Sequence, residues 1–215
     1  MLVRHCDPVG GPSAVLSLED FYRWEQIESE RPLSARGRVR AEDLARQMEA
    51  LRPDVLIASP VRRAAETAEA VRARVGLCPQ VWPELSEIRF GRWSWIRGLA
   101  RRVPAPSHVW EIGLRFLWMA GGRVEGIDPP LVVAERAGEV AARLSELAEG
   151  RTVVVVGHGV AMAFLMAALT GSGPPSATWV RFLLRTGQYR ILERGARGYR
   201  EVGGGRGRAG GSALR

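Results

Sequence analysis

The sequence predicts an α/β fold with three layers, α/β/α, built around a mostly parallel central sheet. Short apolar runs rich in β-branched residues alternate along the chain with longer segments whose apolar positions recur at helical spacing. Gly, Pro or Ser follows several of these runs, as expected where buried strands end. Because strands that alternate with helices form sheets covered on both faces, this order favours the layered α/β class.

The predicted elements follow one another in a simple order. The predicted strands are residues 2–3, 54–58, 152–156, 179–184, 188–192 and 198–202, and the predicted helices are residues 35–51, 61–75, 131–147 and 161–169. Ser34 is the expected N-cap of the first of these helices. The strongest strand is 152–156, which is β-branched and ends before Gly157. The segments 179–184 and 188–192 are predicted to form a hairpin.

One insertion and one tail depart from this pattern. Residues 1–202 are predicted to form a single domain, with an irregular and partly helical insertion at about 92–130. Tryptophans stand in this insertion among Arg, Pro and Gly without a clean period, so it is either a lid over a pocket or a large surface loop packed by its own tryptophans. Residues 203–215 are rich in Gly and Arg and are predicted to be disordered.

The charge balance is basic, with a formal net charge of +8 and 31 basic residues that are all arginine. Guanidinium groups bind phosphate through two parallel hydrogen bonds, which lysine cannot do. A basic balance fits nucleic acid, acidic membranes and small anionic substrates equally well. Composition alone therefore does not choose among these partners.

Location is predicted from what the sequence does not contain. No apolar run is long enough to cross a bilayer, and no export signal precedes the first strand. The 2 cysteines are too few for a disulfide scaffold. We therefore expect a cytoplasmic protein that does not engage a membrane.

The sequence has only 3 histidines, and two of them follow predicted strands directly. His5 comes after the first strand and is preceded by Arg4. His158 lies between Gly157 and Gly159, where a strand ends and an apolar helix begins. Ligands bind at the carboxyl ends of strands in open α/β sheets, and helix N-termini favour anions. His108 lies in the irregular insertion and is expected to be a solvated loop residue.

Two further segments supply charged candidates. The segment 59–68 follows a buried strand and opens a helix with Arg62 and Arg63, so at least one arginine should lie near the end of that strand. In the segment 85–93, Glu87 stands among apolar and basic residues. Taken alone, arginines on a helix and a single glutamate are most often solvated surface residues.

Together these segments resemble the histidine phosphatase superfamily, whose fold is that of phosphoglycerate mutase. The Arg-His-Gly motif of the family is similar to residues 4–6, its Ser-Pro-Leu-x-Arg-Ala block to 59–68, its Leu-x-Glu-x-x-Phe-Gly-x-Trp block to 85–93, and its late Gly-His-Gly to 157–159. The match runs in order over residues 1–202. It implies that the family arginine is Arg63 rather than Arg62.

The resemblance implies a phosphomonoesterase with a phosphohistidine intermediate. His5 would be the nucleophile, neutral at one nitrogen, and Arg4, Arg63, His158 and Gly159 would bind the phosphoryl group. A protonated Glu87 would donate to the leaving oxygen and later activate water. No metal or cofactor is expected, since Arg4 and Arg63 would repel a cation held by His5, Asp7, Glu87 and His158.

Several alternatives and departures stay open at this point. A mutase, which returns the phosphoryl group to an isomeric product, is the nearest rival, and a non-catalytic anion- or RNA-binding protein is the alternative of another class. We expect a small phosphorylated substrate and no nucleic acid, and we leave a homodimer open. Cys6 replaces the family glycine, and its basic surroundings predict a lowered thiol pKa and ready oxidation.

Overall fold

The computed structural model describes residues 1–10, 15–28, 30–88, 104–119, 128–172, 183–196 and 198–208. Its helices are Leu18–Glu28 (α1), Ala35–Glu49 (α2), Arg62–Val75 (α3), Ser107–Met119 (α4), Pro130–Leu147 (α5) and Gly159–Leu169 (α6). Its strands are Leu2–Arg4 (β1), Val15–Leu16 (β2), Val55–Ala58 (β3), Gln80–Val81 (β4), Ala105–Pro106 (β5), Val153–Gly157 (β6), Gln188–Gly195 (β7) and Gly198–Arg206 (β8). Within these ranges, none of the helices combines the length and the apolar character that a membrane span requires.

The central sheet has six strands in the order β4-β3-β6-β1-β7-β8. Strands β4, β3, β6 and β1 run parallel to one another, whereas β7 is antiparallel to β1 and β8 is antiparallel to β7. The predicted α/β fold with a mostly parallel sheet is therefore confirmed. The parallel part carries the carboxyl ends of β1, β3 and β6 to one edge of the sheet.

Two apolar layers cover the sheet because its strand residues alternate between faces. Leu2, Ile57 and Val155 pack on one face against α5 and α6. On the opposite face, their neighbours Val3 and Leu56 pack against α2 and α3. Ser34 caps α2 by accepting a hydrogen bond from the Gly37 N–H at 2.9 Å, as predicted. This gives the three layers expected from the sequence.

A cap formed by α1, α4 and the two-stranded sheet β2–β5 packs on the outer side of α6. Phe21, Leu114 and Trp118 join Phe164 of α6 in a third apolar cluster. Helix α6 thus lies between the sheet and the cap, which explains why it is apolar on all sides. The described part of the predicted insertion includes a helix of 13 residues, α4, packed on the domain. Trp93 and Trp95 lie outside the described residues.

Two predictions at the carboxyl end of the chain are wrong. Strand β7 forms its hairpin with β8, whereas residues 183–185 are not strand and residues 179–182 lie outside the described ranges. Strand β8 also continues to Arg206, so residues 203–206 are ordered, and residues 209–215 lie outside the described ranges. Gly204 is needed there because its Cβ would lie 2.7 Å from the backbone carbonyl oxygen of Tyr189.

Candidate active site

The register of the parallel strands brings three polar residues to one edge of the sheet. Arg4 of β1 pairs with Gly157 of β6, so His5 and His158 follow at the same level. The centroids of the two imidazole rings are 5.1 Å apart. Ser59 follows β3 and donates its backbone N–H to the Val156 carbonyl at 2.9 Å, which aligns it with the same edge. Two strand-end histidines that are 153 residues apart in the chain are therefore neighbours in space.

The hydrogen bonds of His5 determine which ring nitrogen carries the proton. Nδ1 lies 2.7 Å from the Cys6 carbonyl oxygen, and Nε2 lies 3.0 Å from Nε of Arg63. A carbonyl only accepts and a guanidinium only donates, so Nδ1 is protonated and Nε2 has its lone pair directed at Arg63. Burial, together with His158, Arg4 and Arg63, lowers the pKa of His5 well below its ordinary value. The ring is therefore neutral, with a nucleophilic nitrogen beside a cation.

Helical spacing explains why Arg63 reaches His5 and Arg62 does not. The buried face of α3 includes Arg63 and Thr67, one helical turn apart. Arg63 is only 6% exposed, whereas Arg62 points outward and donates to Glu66 at 2.9 Å. Thr67 Oγ1 donates to the Arg63 carbonyl at 2.8 Å and accepts from the Cys6 N–H at 3.1 Å. It therefore links the helix to the turn that carries His5.

His158 is held by Ser59 and keeps one nitrogen available. Its Nε2 lies 2.9 Å from Ser59 Oγ, and both residues are fully buried. Its Nδ1 is buried and has no hydrogen-bond partner among the described residues. Burial lowers the pKa of His158 to about 3, with Glu87 opposing this shift and Arg63 and Arg4 adding to it. A neutral ring with an unpartnered buried nitrogen is a group that a bound anion can satisfy.

Glu87 lies at the start of α6. Its carboxylate accepts hydrogen bonds from the backbone N–H groups of Ile88 at 3.2 Å, Val160 at 3.4 Å and Ala161 at 3.3 Å. It thus takes the place of an N-cap, since the His158 side chain does not cap this helix. The carboxylate also complements the positive end of the helix dipole.

The charge of Glu87 differs from the expectation. Burial raises the pKa of Glu87, but Arg115, His158, Arg4 and Arg63 together outweigh burial and hold the pKa below its ordinary value. The sequence predicted a protonated acid. In these surroundings the group is a carboxylate, because it is close to Arg115 on α4 and to Arg4 and Arg63 at the edge of the sheet.

Arg4 and Gly159 lie against one another. Nη1 of Arg4 donates to the Leu184 carbonyl at 2.7 Å, which directs the guanidinium past the first residue of α6. A Cβ on Gly159 would lie 2.9 Å from that Nη1 atom. Gly159 therefore leaves the space through which Arg4 passes.

Sequence reasoning missed two residues at this site and misplaced one. Arg115 influences Glu87 from α4, a helix that the sequence left irregular. Ser59 was not among the predicted site residues, although a hydroxyl at the end of a predicted strand, in a sheet where two other strands end at histidines, was the available signal. His108 lies in the first turn of α4 and not in a loop, so that prediction is wrong.

Cys6 is not a reactive thiol, contrary to the expectation. Its side chain is completely buried in the cluster between the sheet and helices α2 and α3. Burial and the carboxylate of Asp7 raise the pKa of the thiol to about 12, against smaller opposing effects of Thr67, Arg40 and Arg206. The extra side chain thus points into the core and leaves the space next to His5 unobstructed.

Comparison with known proteins identifies the family. The family model of the histidine phosphatase superfamily (branch 1) matches residues 1–203. The adenosylcobalamin/alpha-ribazole phosphatase of Escherichia coli (strain K12) is 30% identical over 150 residues, which cover 69% of this chain and 71% of that protein. The glucosyl-3-phosphoglycerate phosphatase of Mycolicibacterium vanbaalenii is 29% identical over 161 residues, covering 69% of this chain and 72% of that protein.

Solved structures share the fold over almost the whole chain. A mycobacterial glucosyl-3-phosphoglycerate phosphatase in complex with VO3 superposes with a TM-score of 0.68 and 25% identity, covering 94% of this chain and 95% of that one. The alpha-ribazole phosphatase of Shigella flexneri superposes with a TM-score of 0.69 at 19% identity, covering 100% of this chain and 98% of that one. The last of these shows the fold alone. From the match to the family model along nearly its full length, the chain belongs to the histidine phosphatase superfamily, branch 1.

Proposed function

We propose that this protein is a phosphatase that hydrolyses phosphomonoesters through a phosphohistidine intermediate on His5. The observation that carries the proposal is the protonation state of His5. Its Nδ1 proton is engaged by the Cys6 carbonyl, so the lone pair of Nε2 faces the guanidinium of Arg63 at 3.0 Å. A neutral imidazole held in one tautomer beside a phosphate-binding cation is the arrangement that nucleophilic attack on phosphorus requires.

The first step transfers the phosphoryl group to His5. Nε2 forms a bond to phosphorus while the bond from phosphorus to the substrate's alcohol oxygen breaks. The Arg63 N–H that now donates to Nε2 turns to a phosphoryl oxygen, and Arg4 binds a second one. Ser59 Oγ accepts from the Val61 N–H at 3.3 Å, so its own proton is available for Nε2 of His158. Nδ1 of His158 then carries the proton that it donates to the phosphoryl group.

Glu87 moves the proton in both steps. It first protonates the departing alcohol oxygen, and then takes a proton from the water that attacks phosphorus and releases inorganic phosphate from His5. Because the pKa of Glu87 is lowered, the first proton must arrive with the substrate as its monoanion, whose second pKa is about 6. The charge of the bound phosphoryl group raises the affinity of the neighbouring carboxylate for that proton.

The arginines supply the positive charge that the transition state needs, so we propose no metal or cofactor. Within the described residues, no group of three or more His, Cys, Asp or Glu side chains is suited to hold a metal ion. The relatives are an adenosylcobalamin/alpha-ribazole phosphatase and a glucosyl-3-phosphoglycerate phosphatase, which supports a small phosphorylated metabolite as the substrate here. We propose that the protein acts in the cytoplasm, on the grounds that both of its cysteines, Cys6 and Cys78, are free thiols, as expected in a reducing compartment.

Hydrolysis of 4-nitrophenyl phosphate tests the proposal. We expect turnover by the wild type, none above background for His5→Ala, and a fall in kcat of about 10²–10³ for Arg63→Ala. Arg62→Ala is the matched control, since the neighbouring side chain is exposed, and it should retain wild-type activity. Equal turnover by the wild type and His5→Ala would overturn the proposal. Return of the phosphoryl group to an isomeric product without release of phosphate would identify a mutase.

A further inference from the structure

A second group of arginines surrounds a single carboxylate beside the candidate active site. Asp7 contacts Nη1 of Arg40 with one oxygen and the Thr186 hydroxyl with the other. Arg206 donates its Nε–H to the Thr186 carbonyl at 2.9 Å. Arg36, in the first turn of α2, and Arg185, next to Thr186, are both exposed. We call Arg36, Arg185 and Arg206 the basic flank.

The basic flank lies at the same edge of the sheet as His5. Gln188 at the start of β7 pairs with Arg206, and Val3 of β1 pairs with Tyr189 of β7, so Arg206 is level with the end of β1. It is two strands away from β1, which corresponds to about 10 Å at a strand spacing of about 4.8 Å. The N–H of Gly187, adjacent to this cluster, donates to the carbonyl of His5 at 2.9 Å.

Within the described part of the chain, the positive charges of the basic flank are only partly balanced. Burial, Arg40, Arg185 and Arg36 lower the pKa of Arg206, and only Asp7 opposes them. Among the described residues, no carboxylate lies within 4.0 Å of any member of the flank. Among exposed arginines elsewhere, Arg72 and Arg200 each pair with a glutamate, whereas Arg38 and Arg52 have no such partner among the described residues. What sets the flank apart is therefore the grouping of its three members around Thr186 and Asp7. Like charges held together in this way favour the binding of an anion.

We propose that the basic flank is a subsite for a second anionic group of the substrate. The proposal rests on the proposed phosphatase function and narrows its substrate class. The preferred substrates are phosphomonoesters whose alcohol part carries a second phosphate or a carboxylate, with the separation of about 10 Å between the backbones of β1 and β8 setting the scale of the distance between the two anionic groups. Guanidinium groups recognise both kinds of anion through paired hydrogen bonds. A substrate with one phosphoryl group and an apolar remainder leaves the flank unused.

Alkanediol bisphosphates of graded length test the subsite, with alkyl monophosphates of equal length as the reference. We expect kcat/KM for hexane-1,6-diol bisphosphate to exceed that for hexyl phosphate by about tenfold, the value of a charged hydrogen bond. The advantage should decline for ethane-1,2-diol bisphosphate, which is too short to span the distance. The ratio of kcat/KM for hexane-1,6-diol bisphosphate to kcat/KM for hexyl phosphate should fall towards one in Arg36→Gln, Arg185→Gln and Arg206→Gln. The side chains of Arg36 and Arg185 are exposed and are not needed for packing.

Arg200→Gln is the control, since Arg200 lies on the same strand as Arg206 but at its other end and should leave the ratio unchanged. An equal ratio in the wild type and in all three flank variants would overturn the subsite, even where aryl phosphate is hydrolysed. If the wild type hydrolyses no phosphomonoester, the proposed function fails, and calorimetric binding of hexane-1,6-diol bisphosphate to the same variants then decides the subsite. Binding of inorganic phosphate to the flank without any preference for the bisphosphate would also contradict the proposal.

Discussion

The turn after β1 and the turn after β6 lie side by side, and each carries a histidine, but they are held in different ways. Polar groups fasten the first turn, because the Gly187 N–H donates to the His5 carbonyl and the Asp7 carboxylate contacts Arg40 and Thr186. The second turn leads into an apolar helix whose first N–H groups donate to Glu87. Under the proposed function, the first turn would hold the nucleophile in place. The second couples a histidine to a carboxylate whose charge can change.

Of the replacements in the two turns and the groups that contact them, Glu87→Gln should lower kcat the most. The amide cannot transfer a proton, so we expect kcat to fall by about 10²–10⁴. In the wild type, kcat/KM should decrease as the pH rises above the second pKa of the substrate, about 6, because the lowered pKa of Glu87 leaves the monoanion as the source of the proton. The measurement is a pH–rate profile with hexyl phosphate, measured as the release of inorganic phosphate, because the alcohol oxygen of an alkyl ester needs a proton to depart whereas 4-nitrophenolate does not. Glu84→Gln is an exposed control on the preceding turn, and a profile that is flat between pH 5 and 8 in wild type and variant would refute the assignment.

Replacing His158 with Asn should come next. Loss of one donor to the phosphoryl oxygens lowers kcat by about 10²–10³. Ser59→Ala keeps the imidazole but removes the bond at 2.9 Å that fixes its tautomer, so its effect should be smaller than that of His158→Asn. Steady-state kinetics of both variants make the test. A Ser59 variant that is more damaged than the His158 variant, while still folded by circular dichroism, would contradict the role given to the ring.

Replacing Asp7 with Asn should have a moderate effect on both stability and rate. The change removes the charge that joins Arg40 to Thr186, and we expect a loss of about 1–3 kcal/mol in the free energy of unfolding. Because the turn that carries His5 is less firmly held, kcat should also fall while KM changes little. Urea denaturation and kinetics measure the two quantities. Glu49→Gln, which loses an exposed pair with Arg74, is the control, and a variant with unchanged kcat would show that the first turn needs no such fastening.

Thiol modification should have the smallest effect. Cys6 is buried with a pKa of about 12, whereas Cys78 is exposed. A thiol reagent at pH 8 should therefore modify only Cys78 in the native protein and leave phosphatase activity intact. Mass spectrometry of the treated protein identifies the modified residue. Modification of Cys6 with loss of activity would mean that the first turn opens readily.

The same contrast explains how much the sequence could predict. The strands that end at His5, Ser59 and His158 are short, apolar and followed by turn residues, so their alternation with helices predicted the sheet and the edge at which these three residues meet. The resemblance to the family, and not the spacing along α3, selected Arg63 rather than Arg62. Family motifs supplied Glu87, whose spacing carries no signal of its own.

What the sequence could not predict depends on long-range contacts. The lowered pKa of Glu87 comes from arginines on other elements, including Arg115 on α4. The sequence did not predict this helix because its tryptophans do not recur at a clear helical period. The raised pKa of Cys6 follows from burial that no local pattern encodes. Residues 203–206 have the composition of a flexible tail, yet they pair with residues 188–191 of β7 and so belong to β8.

Direct detection of the covalent intermediate tests the central claim, which is that Nε2 of His5 attacks phosphorus. The protein is mixed with a rapidly hydrolysed aryl phosphate, quenched in alkali, in which phosphohistidine survives, and digested for mass spectrometry. We predict one phosphoryl group on His5, more of it in Glu87→Gln because hydrolysis of the intermediate is slowed, and none in His5→Ala. A phosphoryl group on His158, or its absence from His5 in an enzyme that turns over the substrate, would contradict the account.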